Sequence, residues 1–335
     1  MINKKFHVLT SLMGVAMLFS ACTATPTETR TPAFSTALVN TSMPTETRTP
    51  SQTATLAITS TPTEPRTPSL TATLANTSTP QGTATPIMTP TPTLGIGSTI
   101  LRQEDAMLMM YVPEGEFLMG SDPAKDKNAQ YDEQPQHSVY LDAYWIDQTE
   151  VTNGMYAKCV SAGKCFLPQN DRTPLHHKYY GTSKYADYPV VFVDWNQAKA
   201  YCAWAGADLP TEAQWEKASR GTDGRLYHWG DASPSSNLLN YGNVGDTTEV
   251  GHYPDGASPY GALDMSGNVW EWVNDLYDIY PSPGNSSLGS LAGGSRDMRG
   301  AAYYLIEYGA RSADRSGMEP TYRDNSTGFR CASTP

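Results

Sequence analysis

From Thr23 to about Ser98 the chain lacks the means to build a core, and that stretch decides how much of the sequence is free to fold. Roughly a third of its residues are threonine, proline recurs throughout, and Phe34 is its only aromatic residue. With so little apolar surface to remove from water, folding would not offset the entropy lost by ordering the backbone. The stretch repeats itself: Pro26-Thr-Glu-Thr-Arg-Thr-Pro32 returns as Pro44 to Pro50 and, with one change, as Pro62 to Pro68, while Thr53 to Ala57 returns as Thr71 to Ala75. Repeats near this length build solenoids when each unit has an apolar face to stack. These units have none, so they read as a multiplied spacer: a disordered tether over 23–100. As a coil it spans on the order of 50 Å, and as extended polyproline at most about 240 Å. Its composition also permits O-glycosylation.

Ahead of the tether, Lys4 and Lys5 precede the apolar run Val8 to Phe19, which is too short to cross a bilayer as a mature helix and predicts a signal peptide over 1–22. The run ends in Leu18-Phe19-Ser20-Ala21-Cys22, which resembles the lipobox of bacterial lipoproteins, with Phe19 where that box usually has leucine. The expectation is an exported protein lipid-anchored at Cys22, facing the cell exterior or periplasm; cleavage after Ala21 and free secretion is the alternative. Four further cysteines, Cys159, Cys165, Cys202 and Cys331, then make an even set in an oxidising compartment. Three pairings are open, but Cys159 and Cys165 are close enough to close a small loop, which leaves Cys202 for Cys331.

The formal charge of −11 is uneven. Two lysines sit in the leader and the tether's charges cancel, so the remaining residues carry about −13. Such a balance argues against nucleic acid as a partner and suits solubility, or carboxylates gathered around a hard cation such as Ca²⁺.

The rest, 101–335, is long enough for one domain with a substantial core, expected to be monomeric. Strands are predicted over Met107 to Val112, Glu116 to Gly120 and His137 to Asp147 from alternating apolar residues. A short helix is predicted from near Asn153 to Cys159. A second runs from Trp195 to Ala205, N-capped by Asp194 and closed by Gly206, with Trp195, Ala198, Tyr201, Cys202 and Ala205 on one inward stripe. A third begins at Thr211, which with Gln214 has capping-box spacing, and ends at Gly221. Beyond Gly221 the chain reads as long structured loops. His176-His177 reads as a solvated surface pair.

The densest pattern is Tyr260-Gly-Ala-Leu-Asp-Met-Ser-Gly-Asn-Val-Trp-Glu-Trp272. With Pro113 to Gly120, Glu150-Val-Thr-Asn153, Pro189 to Trp195, Leu209 to Glu216 and Gly328 to Ala332, it resembles the formylglycine-generating enzyme family, also called the sulfatase-modifying factor family. The resemblance runs in order from about Ala106 to Ala332. It implies an irregular α+β fold related to C-type lectin-like domains, with few short helices packed on twisted antiparallel strands, held by structural Ca²⁺ and disulfides. It places calcium ligands on the side chains of Asp264 and Glu271 and the backbone oxygens of Gly267 and Val269, and a second, less well matched loop on Asn240 and Asp246. It also links Cys202 to Cys331.

The departure lies where family members that catalyse carry two cysteines after a Gly-Gly-Ser turn, which bind copper and oxidise a substrate cysteine with O₂. The matching stretch here is Arg299 to Arg311, with Ala302 for the serine, Leu305 near the first cysteine and Gly309 or Ala310 near the second. No cysteine occurs between Cys202 and Cys331, so copper is not expected. Glu307, Tyr308, Arg311, Asp314 and Arg315 are candidates for a polar groove beside this stretch, with a structural ion-pair network as their other reading. Zinc, phosphate-loop and serine-hydrolase motifs are absent from the sequence. Three functions follow as expectations. One is a non-copper scaffold binding a peptide, protein or glycan. Another is a formylglycine-generating oxidase acting on Cys-x-Pro-x-Arg peptides of sulfatases. The third is another enzyme on the same scaffold without the cysteine pair; relatives of that kind serve pigment maturation or sulfur-amino-acid biosynthesis, the latter with an iron-binding domain not expected here.

Overall fold

The computed structural model describes residues 94–242, 244–278, 280 and 294–335. The signal peptide, Cys22 and nearly all of the tether lie outside the described residues. Among those described, no helix is long and apolar enough to cross a membrane.

Among the described residues, three small sheets and three short α-helices make up the α+β fold. The first sheet runs β1 (Thr99–Leu101), β2 (Leu108–Val112), β5 (Tyr144–Asp147) and β10 (Ala332–Ser333), in that order. The second pairs β3 (Gly115–Met119) with β4 (His137–Leu141). The third runs β8 (Arg315–Met318), β7 (Arg296–Arg299), β6 (Trp270–Leu276) and β9 (Thr327–Gly328). All pairings are antiparallel except β6 with β9. The alternation from His137 to Asp147 predicted one strand; the structure makes two, in different sheets. The chain leaves the β3 partnership after Leu141 and re-enters at Tyr144, whose four-residue strand is buried throughout.

Helix starts follow their caps. The hydroxyl of Thr152 accepts the Met155 amide at the head of α1 (Asn153–Ser161). At α2 (Trp195–Trp204) Asp194 and Gln197 form a full capping box, of which the sequence reading saw only the cap. At α3 (Glu212–Arg220) Thr211 and Gln214 form the expected one, and Gly221, at φ 74°, ends the helix. Each satisfies two amide groups that a helix leaves orphaned. Of the predicted inward stripe of α2, Ala198, Tyr201, Cys202 and Ala205 are buried with Phe329, Trp272 and Cys331, and Trp195 packs half-buried against them. Trp215 and Ala218 of α3 pack with Met110, Val112, Tyr144, Ile146, Met265 and Val273.

Both disulfides stand as the spacing suggested: Cys159–Cys165, six residues apart, and Cys202–Cys331, 129 apart. The second fixes the end of the described chain to the helix at its centre. Because a crosslink restricts the unfolded chain more when its loop is longer, separate Cys→Ala pair variants should differ about twofold in lost stability, with the Cys202/Cys331 pair costing about 5 kcal/mol. Urea unfolding of the two variants measures this, and equal losses would contradict it. Thiol titration of the oxidised, unfolded protein should find none of these four cysteines free.

Candidate functional site

The loop from Ser266 to Trp270 is the bed on which the candidate site rests. Gly267 sits at φ 80°, and a Cβ there would lie 2.2 Å from the carbonyl oxygen of Asn240, so only glycine admits this approach. Its amide donates to Gly300 O (2.7 Å), the Asn268 carbonyl accepts from Tyr303 N (3.1 Å), and the Ser266 hydroxyl donates to Ala310 O (2.8 Å). The turn of Gly300 and Ala301, at φ 92° and 62°, is thus held from below at both ends.

This turn brings Leu305, which the resemblance sets near the first family cysteine, against Gly309, one of the two positions, with Ala310, set near the second. A Cβ on Gly309 would lie 3.3 Å from Leu305 Cδ1 and 3.6 Å from the Ala301 methyl. Side chains at 305 and 309 therefore meet, and here they meet as an isobutyl group and a hydrogen. Beside them is a pocket of about 170 Å³ lined by Trp270, Met298, Leu305, Met318, Tyr304 and Tyr322, with Asp324 at its polar edge. Asp324 accepts the Tyr322 phenol (2.8 Å) and the hydroxyls of Ser326 and Thr327. Tyr304, Ile306 and Tyr308 stand largely exposed around it.

Of the two readings of the candidate groove, Arg311, Asp314 and Arg315 follow the ion-pair network. Arg311 is buried and pairs with Glu133 (2.6 Å), Asp126 (2.9 Å) and Asp314 (3.4 Å). Arg315 pairs with Glu212 (2.9 Å), donates to the carbonyls of Asp132 and Asp278, and lies 4.3 Å from the Tyr280 ring centre. These arginines are spent on interior ion pairs; Glu307 and Tyr308 remain at the surface. A further interior set joins Arg299 and Arg220 to Glu216, whose carboxylate also accepts the Gly120 amide (2.7 Å).

The expected calcium residues meet around Arg330. Glu271 gives both oxygens to that guanidinium (2.7 Å each) and one also to the Trp215 indole (2.8 Å). Asp264, at φ 55°, accepts the Gly251 amide (2.6 Å). Gly267 and Val269 lie on the same loop, both buried. A third carboxylate, Glu150, completes the group: Asn268 donates to its Oε1 (3.0 Å), its buried Oε2 accepts from no donor, and its raised carboxyl hydrogen-bonds Asp264. Burial, with Asp264 and Glu271 nearby, holds the Glu150 carboxyl well above its usual range, and Asp264 is also raised. Three carboxylates facing one guanidinium leave negative charge that a proton or a cation must offset. Among the described residues no three His, Cys, Asp or Glu side chains gather as a metal shell. A hard cation would offset the same charge, but Glu271 is already held, and the oxygens that accept from no donor are Glu150 Oε2 and, one residue cluster away, Asn240 Oδ1.

Asn240 donates to the Asp246 carbonyl (2.9 Å) and to Asn268 Oδ1 (3.2 Å). The Asp246 carboxylate accepts from Thr173, Leu175 N and Thr247 N. His176 was expected in solvent; instead it turns inward beside Asp246 (3.2 Å), among the rings of Tyr179, Tyr185 and Tyr188, while His177 is exposed. Sequence reading missed Glu150 as a chemical group, although its Glu-Val-Thr-Asn block was singled out. It also missed His228, buried with both ring nitrogens unpartnered and drawn down to about 3 by burial and Arg330.

Comparison with known proteins matches residues 99–335 to the sulfatase-modifying factor enzyme 1-like domain. The chain is 32% identical over 249 residues to serine/threonine-protein kinase pkn1 of Chlamydia caviae, covering 67% of this chain and 37% of that protein. It is 31% identical over 260 residues to hercynine oxygenase of Mycolicibacterium smegmatis, covering 66% and 60%. It is 31% identical over 277 residues to the inactive C-alpha-formylglycine-generating enzyme 2 of Mus musculus, covering 68% and 85%. The chain therefore spans between about a third and three fifths of the first two relatives. Among solved structures, PvdO from Pseudomonas aeruginosa superposes with a TM-score of 0.63 at 25% identity, covering 72% of this chain and all of that one.

Asp314 sets a pH dependence. Burial, set against the attraction of Arg311, raises its carboxyl from 3.8 to about 7. A carboxyl raised by folding contributes stability that is complete below about pH 4 and lost as pH rises through about 7. Asp314→Asn should therefore lose less stability than the natural chain between pH 5 and pH 8. Urea midpoints at the two pH values measure it, and parallel losses would contradict it.

Proposed function

Because the chain belongs to the sulfatase-modifying factor enzyme 1-like family, we propose that it uses that family's frame as a non-copper binding domain, exported and lipid-anchored through Cys22, with its ligand taken up at the Leu305 pocket. One observation carries the reading: where the resemblance sets the two family cysteines, the chain holds Leu305 near the first and Gly309 or Ala310 near the second, and Leu305 lies against Gly309. Thiolates are what the family chemistry, as the resemblance implies it, uses to hold copper. A leucine side chain offers packing instead. The pocket of about 170 Å³ is the size for one side chain or one sugar ring, with aromatic faces from Tyr304 and Tyr322 and an acceptor in Asp324. A peptide, protein or glycan presented at a cell surface supplies either. The relative named an inactive formylglycine-generating enzyme supports the view that the frame persists without the activity.

Calcium belongs to this reading as a structural ion. Glu150 and Asp264 would hold it, with the loop carbonyls of Gly267 and Val269 as the resemblance implies, and its charge would offset theirs. That supports the bed under the Gly300 turn, since Asn268 touches both Glu150 and Tyr303.

Two measurements test the proposal. Incubated with a Cys-x-Pro-x-Arg peptide, copper and oxygen, the full chain should leave the peptide's mass unchanged; conversion of its cysteine to the aldehyde would establish the oxidase alternative. Millimolar calcium should raise the melting temperature relative to chelator, and Glu150→Gln with Asp264→Asn should remove that rise. A melt indifferent to calcium in the natural chain would reject the ion.

A further inference from the structure

Away from the Leu305 pocket, the segment after Cys165 displays two large apolar side chains to solvent: Phe166 is 83% exposed and Leu167 64%. Single exposed apolar residues are ordinary on any protein surface. This pair differs because its backbone is fixed. The Cys159–Cys165 disulfide anchors it on one side, the Tyr156 phenol donates to Phe166 O (3.0 Å), and the Gln197 amide donates to Leu167 O (3.1 Å). The side chains therefore have no freedom to fold back onto the domain by moving the loop. They form one wall of a cleft of about 460 Å³ whose other side is the first turns of α2, at Gln197 and Ala200.

The charges at its rim are unequal. Asp194 is neutralised by Arg323, accepting from its Nε (3.0 Å), and also caps α2 through Gln197 N (2.8 Å). Lys164 is exposed and has no ion pair among the described residues. An acidic chain of formal charge −11 thus offers one unopposed cation beside a rigid apolar wall.

We propose that this cleft is a docking site for an extended peptide of a partner protein, one that places a large apolar side chain against Phe166 and Leu167 and a neighbouring carboxylate on Lys164. Rigid presentation lowers the ordering cost of binding, because the receptor wall is already in its bound shape. The carboxylate adds selectivity through Lys164, an exposed contact that salt weakens.

The test uses the full chain and two acetylated, amidated tetrapeptides, Gly-Phe-Glu-Gly and Gly-Phe-Lys-Gly, followed by chemical-shift titration at low salt. The first should bind about fivefold more tightly, the scale of one exposed charge pair. Lys164→Glu should reverse that order, an outcome that a merely unfolded variant does not produce. Phe166→Ser should weaken both peptides, whereas Leu305→Ala, in the other pocket, should change neither. Equal binding of the two peptides, or a preference untouched by Lys164→Glu, would overturn the proposal. So would concentration-dependent dimerisation abolished by Phe166→Ser, which would assign the cleft to a second copy of the chain.

Discussion

The guanidinium of Arg330 is the contact on which the rest of the domain hangs. Wholly buried, it binds both oxygens of Glu271 on β6 and donates to the carbonyls of Asp147, Gln148 and Leu263. One planar group with five donors thereby joins the end of β5, the first strand of the third sheet and the loop that precedes it. Glu271 in turn receives the indole of Trp215, which brings in α3. Burying a charge so deeply is costly unless its donors are matched, and here they are. Removing either partner would leave the other charge stranded, which costs about 3 to 5 kcal/mol.

From this centre the order passes outward to the site. The loop following Asp264 must reverse around Gly267 to reach the Asn240 carbonyl, and the same reversal aims Gly267 N and Asn268 O at the turn of Gly300 to Tyr303. The pocket at Leu305 is thus positioned by backbone hydrogen bonds and not by the chemistry of its own side chains. Side chains at position 305 can therefore vary without loss of the shape around it. Frame and pocket lining are separable in this architecture.

What the sequence made legible follows the range of the interactions. The capping box at Thr211 and Gln214 is written within four residues, and the inward stripe of α2 within eleven, so both are read from local spacing. The two disulfides follow from a count of four cysteines and one short interval. The contacts of Arg311 were not legible, because Glu133 lies 178 residues away and nothing local distinguishes a buried arginine from one lining a groove. The same holds for Glu150, whose role appears only when Asn268, 118 residues later, is folded against it. The break between β4 and β5 was hidden for another reason: apolar alternation continues through it, although the strand changes sheets.

The position of Arg330 also sets an order of assembly. A ribosome makes the chain from its N-terminus, so β9, Arg330, Cys331 and β10 emerge after every element they join. Until then β5 lacks its β10 neighbour, β6 lacks β9, Glu271 has no cation, and Cys202 has no Cys331. A nascent chain short of residue 330 therefore carries most of its sheets and helices without the Arg330, β9 and β10 contacts. Closing these contacts therefore waits until the segment around Arg330 has been made.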